Sequence, residues 1–396
     1  MKKILALILA LAMCFALVAC GNSDDKGNAD DKTPGTSANT PDDKTPATDD
    51  KVYELVVVNH DAVTSMCELY VETLFNAIAE ESNGRLKFTY QAGGSLFGAA
   101  ETIDAVKVGS ADICWATTGT YGGVFPLGEF INLVGNGIDS ASKGSAVYNA
   151  MVKEVPEVAA ELADWKVLAV HGTSNAPIST VGKKIETPAD FKGVRVRVAG
   201  TIPTLYAQQL GLDAVALPTS EVYDNLSKNA LDGMLNDWHN IDCFRLFEPI
   251  DYCMNVSLNQ CASFVLMNQD MWNSLPADLQ AIFDKYFASG FAADMAGYWW
   301  DSCRYWVGDK MLENGVEIYE PSAEVEEFMF SDAVIEATHK GYIDFLNSKG
   351  YDGQAMYDKF MEITARFDEA YAHVWDEEFH YEDWDMSKVD GYKPVW

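Results

Sequence analysis

From Tyr53 onward, the apolar residues switch repeatedly between two spacings, and this constrains the fold more than any other feature of the sequence. Tyr53 to Val58 is a short β-branched run that predicts a strand, and apolar residues from Met66 to Ile78 recur at helical spacing. This alternation predicts an α/β lobe with a mainly parallel sheet. The further predicted elements are strands over 86–90, 112–116 and 166–170 and helices over 99–108 and 147–163.

A second α/β pattern follows a Gly/Pro/Ser-rich passage at 172–182. In the predicted strand from Val194 to Val198, alternation puts the three valines on the core face and Arg195 and Arg197 on the other. A strand over 261–267 is predicted to return to the first lobe, and a long helical stretch from 277 to about 312 to pack across both lobes. The remaining predicted elements are helices over 203–210 and 219–229 and a strand over 213–217.

The N-terminal segment has the composition of an export signal. Lys2 and Lys3 precede an apolar run from Ile4 to Val18, which is too short for a membrane span of roughly 20 residues. The run ends in Leu-Val-Ala-Cys at Cys20, which resembles a bacterial lipobox. We therefore predict a signal peptide over 1–19 and a lipidated Cys20; the alternative is a plain signal peptide with an accidental cysteine. Residues 20–51 have no large apolar side chain to bury, so we predict a disordered tether.

The chain is strongly acidic, with 28 basic and 60 acidic residues and a net charge of −32. This charge argues against nucleic acid as a partner and against direct adhesion to anionic lipid. It also makes each of the few arginines informative, because an acidic protein that binds an anion must concentrate positive charge locally.

No catalytic, cofactor or metal motif is present. The sequence has no nucleophile elbow, His-Glu-x-x-His, phosphate loop or glycine-rich dinucleotide turn. His60, His171 and His239 are scattered, and we interpret each as a pocket-rim or surface residue. The cysteines show no Cys-x-x-Cys or Cys/His metal spacing, and disulfides and buried free thiols remain equally open. We therefore predict no enzyme activity, no cofactor and no metal site.

Residues 53 to about 310 resemble the solute-binding proteins of tripartite ATP-independent periplasmic (TRAP) transporters. The match is carried by several motifs in the family's order, of which the most specific is Pro188 to Val198, close to the family's P-x-D-L-K-G-L-K-I-R-V. The other matching segments are Ser82 to Leu86, Ala92 to Gly98, Val108 to Ile113, Phe125 to Leu127 and Ala230 to Gly233.

The resemblance implies a type II periplasmic-binding-protein fold, in which two α/β lobes are joined by hinge strands and a long spanning helix. On this basis we predict a first lobe over 52–172 plus about 264–305. The second lobe is predicted over 173–263 plus about 306–360, and a C-terminal helix and tail over 361–396.

The resemblance also implies a carboxylate ligand held by Arg197, the arginine of the K-I-R-V motif. A guanidinium group matches a carboxylate with two parallel hydrogen bonds, whereas we interpret Arg195 as a surface residue. Asn236 follows the Asp-Gly pair and is a second candidate, with a turn-capping role as the alternative. Ligands of α/β sheets lie at the carboxyl ends of strands, which adds His60 and Thr117. Trp115 and Trp238, the latter where the family has a different pattern, suggest a partly apolar or aromatic acid; the alternative for Trp238 is packing in the core.

The predicted function is therefore capture of a small organic carboxylate at the outer face of a cell membrane, with the lipid as anchor, and delivery to the membrane subunits of a TRAP transporter. One alternative is a sensing protein that uses the same fold to inform a membrane receptor. A second alternative, an extracellular enzyme, lacks any supporting motif.

Overall fold

The computed structural model of the protein describes residues 51–396. The predicted signal peptide, Cys20 and all but the last residue of the predicted tether lie outside this range. The described strands are β1 (Tyr53–Val58), β2 (Leu86–Gln91), β3 (Ile113–Thr117), β4 (Lys166–Gly172), β5 (Ile178–Thr180), β6 (Arg195–Val198), β7 (Asp213–Ala216), β8 (Gly233–Leu235), β9 (Tyr252–Met254), β10 (Ala262–Met267) and β11 (Glu317–Tyr319).

Helices surround these strands and cover both lobes. They are α1 (Met66–Glu81), α2 (Thr102–Lys107), α3 (Ala141–Glu154), α4 (Pro156–Glu161), α5 (Thr201–Gln209), α6 (Val222–Ser227), α7 (Trp238–Cys243), α8 (Gln269–Ser274), α9 (Ala277–Tyr286), α10 (Phe291–Glu313), α11 (Ala323–Met329), α12 (Asp332–Ser348), α13 (Gly353–Ala365) and α14 (Asp368–Tyr371). Among the described residues, no helix combines the length and apolar character needed to cross a bilayer.

The strands form two sheets. The first has five strands in the order β2-β1-β3-β10-β4, and the second has six in the order β11-β9-β5-β8-β6-β7. In the first sheet β1, β2 and β3 are parallel, and β10 runs antiparallel between β3 and β4. In the second sheet β6 is parallel to β7 and β8. The predicted α/β class with two sheets is therefore confirmed.

Two chain segments connect the sheets. The first runs from β4 to β5 and the second from β9 to β10, and they are paired by hydrogen bonds from Thr173 N to Cys261 O at 3.0 Å and from Ala176 N to Asn259 O at 2.9 Å. Helix α10 packs on α3 and β4 of the first lobe and on α7 and β11 of the second. These paired segments and α10 are the predicted hinge strands and spanning helix.

Two helical predictions were too long. The helix predicted over 147–163 is divided into α3 and α4, because Val155 is extended (φ −113°, ψ 101°) before Pro156. The stretch predicted from 277 to 312 is broken between α9 and α10, where Gly290 has φ 87°. In both places one residue adopts a non-helical backbone conformation, which interrupts the helix despite the continuous apolar pattern.

The division into lobes stays a prediction, but the C-terminal helices modify it. Helix α13 packs against α3, and the Phe360 ring stacks on Phe130 with centroids 5.0 Å apart. Residues 353–360, predicted for the second lobe, therefore lie with the first sheet. The predicted boundary at 360/361 also falls inside α13, whose apolar face continues to Ile363.

Candidate ligand-binding site

Arg197 lies on β6 with its guanidinium group buried, at 5 % exposure. Nε donates to Leu217 O at 3.1 Å, Nη1 to Asn236 Oδ1 at 2.5 Å and Nη2 to Thr219 Oγ1 at 2.8 Å. In the described chain these bonds use one N–H of each nitrogen, which leaves a second N–H on both terminal nitrogens. The group is therefore held in place by its own chain and keeps two donors for a carboxylate.

Burial lowers the pKa of Arg197 to about 10, and the nearby Asp237 carboxylate opposes this shift. A guanidinium group with this pKa remains charged at neutral pH. Because charges interact more strongly where water is excluded, an anion that reaches this group is bound more tightly than at the surface.

Arg195, two residues earlier on the same strand, is in a different environment. Its Nη2 lies 2.6 Å from Asp232 Oδ1 and its Nε 2.9 Å from Oδ2, and the side chain is 43 % exposed. Val194, Val196 and Val198 are buried, as the strand alternation predicts. The interpretation of Arg195 as a surface residue is confirmed, and the structure adds its ion pair with Asp232.

Asn236 follows β8 and lies beside Arg197. Its Oδ1 accepts from Arg197, whereas its buried Nδ2 has no hydrogen-bond partner among the described residues. An unpaired buried amide donor is costly unless another group satisfies it. The free donors of Asn236 and Arg197 therefore give the site two neighbouring groups for a carboxylate or hydroxyl oxygen.

Thr117 reaches this region from the first sheet. It ends β3, and its Oγ1 lies 3.2 Å from Thr120 Oγ1. Two residues later, a Cβ atom added to Gly119 would lie 3.1 Å from the Cys261 thiol sulfur. The same thiol also lies near the Arg197 guanidinium group. Cys261 on the second hinge segment thus lies between the predicted residues of the two sheets.

His60 follows β1, and its Nε2 lies 3.7 Å from Asp61 Oδ1. Its ring centroid is 5.9 Å from that of Trp115, which stacks on Trp300 at the same separation. The buried His171 accepts from Trp115 Nε1 at 2.9 Å, and burial lowers the pKa of this histidine to about 4. His171 and His239 are both buried, so neither is a surface residue, and a place for them at the rim of a pocket stays a prediction.

Trp238 is 4 % exposed and packs in the hydrophobic core with Met234 and Ile241. Its assignment to the ligand site stays a prediction.

A cavity of about 530 Å³ opens elsewhere, between the start of α1 and the end of α7, and none of the predicted ligand-binding residues lines it. We place the candidate site at Arg197, because a buried cation with free donors identifies an anion site more directly than cavity size.

The lobes touch beside Arg197. A Cβ atom added to Gly119, just after β3, would lie 3.6 Å from Ala199 Cβ, just after β6. The Thr201 N–H donates to Glu129 Oε2 at 3.4 Å, which is a second contact between the lobes. These two contacts join the lobes beside the candidate site.

Three residues near Arg197 were not predicted from the sequence as part of the candidate site: Thr219, Asp237 and Cys261. Thr219 and Asp237 follow β7 and β8, so the rule that ligands lie at carboxyl ends of strands pointed to both. No sequence signal identifies Cys261, because its position depends on the pairing of the two hinge segments.

Residues 59–344 match the family model described as DctP, bacterial extracellular solute-binding protein, family 7. The chain belongs to this family. This assignment confirms the predicted resemblance to TRAP solute-binding proteins. The family consists of substrate-binding receptors rather than enzymes, which also confirms the prediction of a binding protein.

A curated relative, the monocarboxylate 2-oxoacid-binding periplasmic protein of Nostoc sp. strain PCC 7120, is 26% identical over 234 residues, or 54% of this DctP-family chain. The chain spans about 59% of that relative's length.

Two solved structures share the fold. A marine metagenome TRAP solute-binding protein from an unidentified microbe, specific for aromatic acid ligands and crystallised with 3-hydroxybenzoate, is 27% identical with a TM-score of 0.75; the match covers 80% of this chain and 99% of that one. A TRAP solute-binding protein from Rhodoferax ferrireducens T118 is 22% identical with a TM-score of 0.73, over 81% of this chain and 99% of that one. The predicted periplasmic-binding-protein fold is thereby confirmed.

Proposed function

We infer that this chain is an extracytoplasmic solute-binding lipoprotein that captures a small organic carboxylate between its lobes and delivers it to a TRAP membrane transporter. The observation that carries this proposal is the buried Arg197 guanidinium group with two free N–H donors beside the unpaired Asn236 amide. Two related proteins bind aromatic acids and 2-oxo monocarboxylates, respectively. Aromatic and 2-oxo acids are therefore the ligand classes to test first.

Titration calorimetry with 3-hydroxybenzoate and a 2-oxo monocarboxylate tests the role of Arg197. Removing one partner of a buried charge pair typically costs about 2–5 kcal/mol, which is roughly 30-fold to several-thousand-fold in affinity. Arg197→Ala should lose binding by this factor, and Arg197→Lys should recover only part of it, because an ammonium group cannot form the planar pair of bonds.

Arg195→Ala is the matched control, two residues away on the same strand, and should leave the affinity almost unchanged. If Arg195→Ala weakens binding strongly and Arg197→Ala does not, the proposed position of the carboxylate is wrong.

The lipid anchor at Cys20 is a further part of the proposal and lies outside the described residues. It is supported by the cysteine in register with the apolar run and the small residues before it. We expect the wild-type chain in the membrane fraction of expressing cells and a Cys20→Ala variant in the soluble extracytoplasmic fraction. A Cys20→Ala variant that remains membrane-bound would contradict the anchor.

A further inference from the structure

An imidazole, a thiol and a carboxylate, all side chains of types that bind metal ions, meet on the side of α7 that faces the loop after β1. His239 and Cys243 are four residues apart and therefore lie on the same side of α7, and Asp61 comes from the loop. One donor atom from each of the three residues lies within 4.8 Å of the other two. All three residues are buried, with exposed fractions of 3 % for Asp61, 1 % for His239 and 9 % for Cys243.

The imidazole of His239 is not satisfied by the protein. Its Nε2 is buried, has no hydrogen-bond partner among the described residues, and lies 3.8 Å from Asp61 Oδ2, which is too long for a hydrogen bond. Two ligands of a tetrahedral zinc ion, each 2.0–2.3 Å from the metal, lie roughly 3.3–3.8 Å apart. The His239–Asp61 separation therefore fits two groups that bind a common ion better than two groups that bind each other.

Other polar side chains lie near these three residues, at distances too long for hydrogen bonds. His239 Nδ1 lies 3.9 Å from Asp237 Oδ1, so a carboxylate faces the nitrogen that would carry the proton when Nε2 binds a metal. His60 Nε2 lies 3.7 Å from Asp61 Oδ1, on the carboxylate oxygen that does not face His239. The carboxylates of Asp61 and Asp237 add negative charge around the Cys243 sulfur, which favours a cation, whereas the Asp242 carboxylate is paired with Lys310.

We propose that Asp61, His239 and Cys243 form a binding site for a divalent cation of borderline softness, with Zn²⁺ as the best fit. A thiolate, an imidazole and a carboxylate are the ligands that zinc takes from proteins, and three of them leave a fourth position for water or a small ligand. Cys243 also lines the cavity of about 530 Å³, which gives the ion a path from solvent. From the sequence we predicted no metal site, so this proposal departs from that expectation.

Co²⁺ absorption and Zn²⁺ calorimetry on the chelator-treated full chain test the proposal. We expect one ion per chain and a thiolate-to-cobalt charge-transfer band in the near ultraviolet. Cys243→Ser should abolish this band. Loss of a group that only orients a metal ligand lowers metal affinity about 10–100-fold. His239 and Asp61 would bind the ion directly, so His239→Ala and Asp61→Asn should each lower the affinity by more than about 100-fold.

Matched controls separate this site from other thiols and histidines. Cys253→Ser, at a buried cysteine on β9, and the exposed pair His373→Ala with His380→Ala should leave the band and the affinity unchanged. Arg197→Ala should also keep the cobalt spectrum, so failure of the metal site and failure of the carboxylate site are distinguishable. Circular dichroism checks the fold of each variant, and Asp61→Asn preserves side-chain volume.

Three results would overturn the proposal: no stoichiometric Co²⁺ binding, a charge-transfer band that survives in folded Cys243→Ser, or binding that disappears with the exposed histidines instead of His239.

Discussion

The Glu129 carboxyl group is fully buried beside the contact between the lobes. Burial raises its pKa from 4.5 to about 7, and the Thr201 N–H only partly opposes this. The group is protonated in the folded and the unfolded chain at low pH, whereas near pH 7 only the unfolded chain has lost its proton fully. Its contribution to stability is therefore complete below pH 4.5 and is lost as the pH rises through 7.

Glu129→Gln should remove this dependence, because the amide has a similar shape and does not ionise. Relative to wild type, the variant should gain on the order of 1–3 kcal/mol in free energy of unfolding between pH 5 and 8. Urea unfolding at several pH values measures this difference. The exposed Glu336→Gln on α12 is the control and should follow the wild-type curve; a Glu129→Gln curve parallel to wild type would show that this carboxyl group does not titrate as described.

At the scale of single residues, the sequence predicted those members of the candidate site that a local sequence pattern identifies. Arg197 follows from a strand motif and Asn236 from its distance to an Asp-Gly pair. The group of Asp61, His239 and Cys243 does not, because Asp61 is far away in the chain and only packing of α7 on the loop after β1 joins it to the others. The four-residue spacing of His239 and Cys243 was a usable signal, but two ligands alone do not define a metal site.

At the scale of elements, the close approach of α10 to α3 depends on Gly297. A Cβ atom there would lie 2.6 Å from Ser142 Cα in the first turn of α3. One helical turn later, Asp301 accepts from Ala141 N at 2.5 Å and from Ser142 N at 2.9 Å, which satisfies backbone donors at the start of α3. Gly297 therefore allows α10 to reach and cap α3.

Gly297→Ala should destabilise the protein by about 1–3 kcal/mol, since the added methyl group must push the two helices apart. Gly308→Ala is the control on the same helix, where the nearest atom to an added Cβ is Ile318 Cδ1 at 3.9 Å. This change should stabilise by about 0.5–1 kcal/mol, because alanine favours the helix. Thermal unfolding of both variants measures these changes in stability. If the two substitutions change stability equally, helix propensity and not the contact between α10 and α3 controls position 297.

Among the strands, the longer ones were predictable and the short ones were not. Strands β1, β2, β3, β4, β6, β7 and β10 lie where their apolar patterns predict them. Strands β5, β8, β9 and β11 have three residues each, too few for a period of two to be recognised. These short strands take part in the second sheet through pairing with distant neighbours, which the local sequence does not encode.

For the whole molecule, the contact between Gly119 and Ala199 predicts how closure can be blocked. In Gly119→Leu the side chain would meet Cys261 Sγ, 3.1 Å from the position of an added Cβ, and Ala199. We expect the lobes to stay apart, with a larger radius of gyration than wild type at saturating ligand. Overpacking costs about 1–3 kcal/mol, so affinity should fall by roughly 5- to 150-fold.

Gly122→Leu is the control in the same turn, because no atom lies within 4 Å of its added Cβ. Small-angle scattering with and without ligand should show compaction for wild type and for Gly122→Leu. Equal dimensions of wild type with and without ligand would contradict closure.

The six cysteines among the described residues are free thiols, and five of them are buried. Burial raises the pKa of Cys114 and Cys253 to about 12 and that of Cys261 to about 11. Since the thiolate is the reactive form, these groups react slowly with alkylating dyes at neutral pH. New cysteines at exposed positions such as Lys87 on β2 and Asp213 on β7 would therefore take up a fluorophore pair selectively. Energy transfer between the two dyes would then follow single molecules as they open and close.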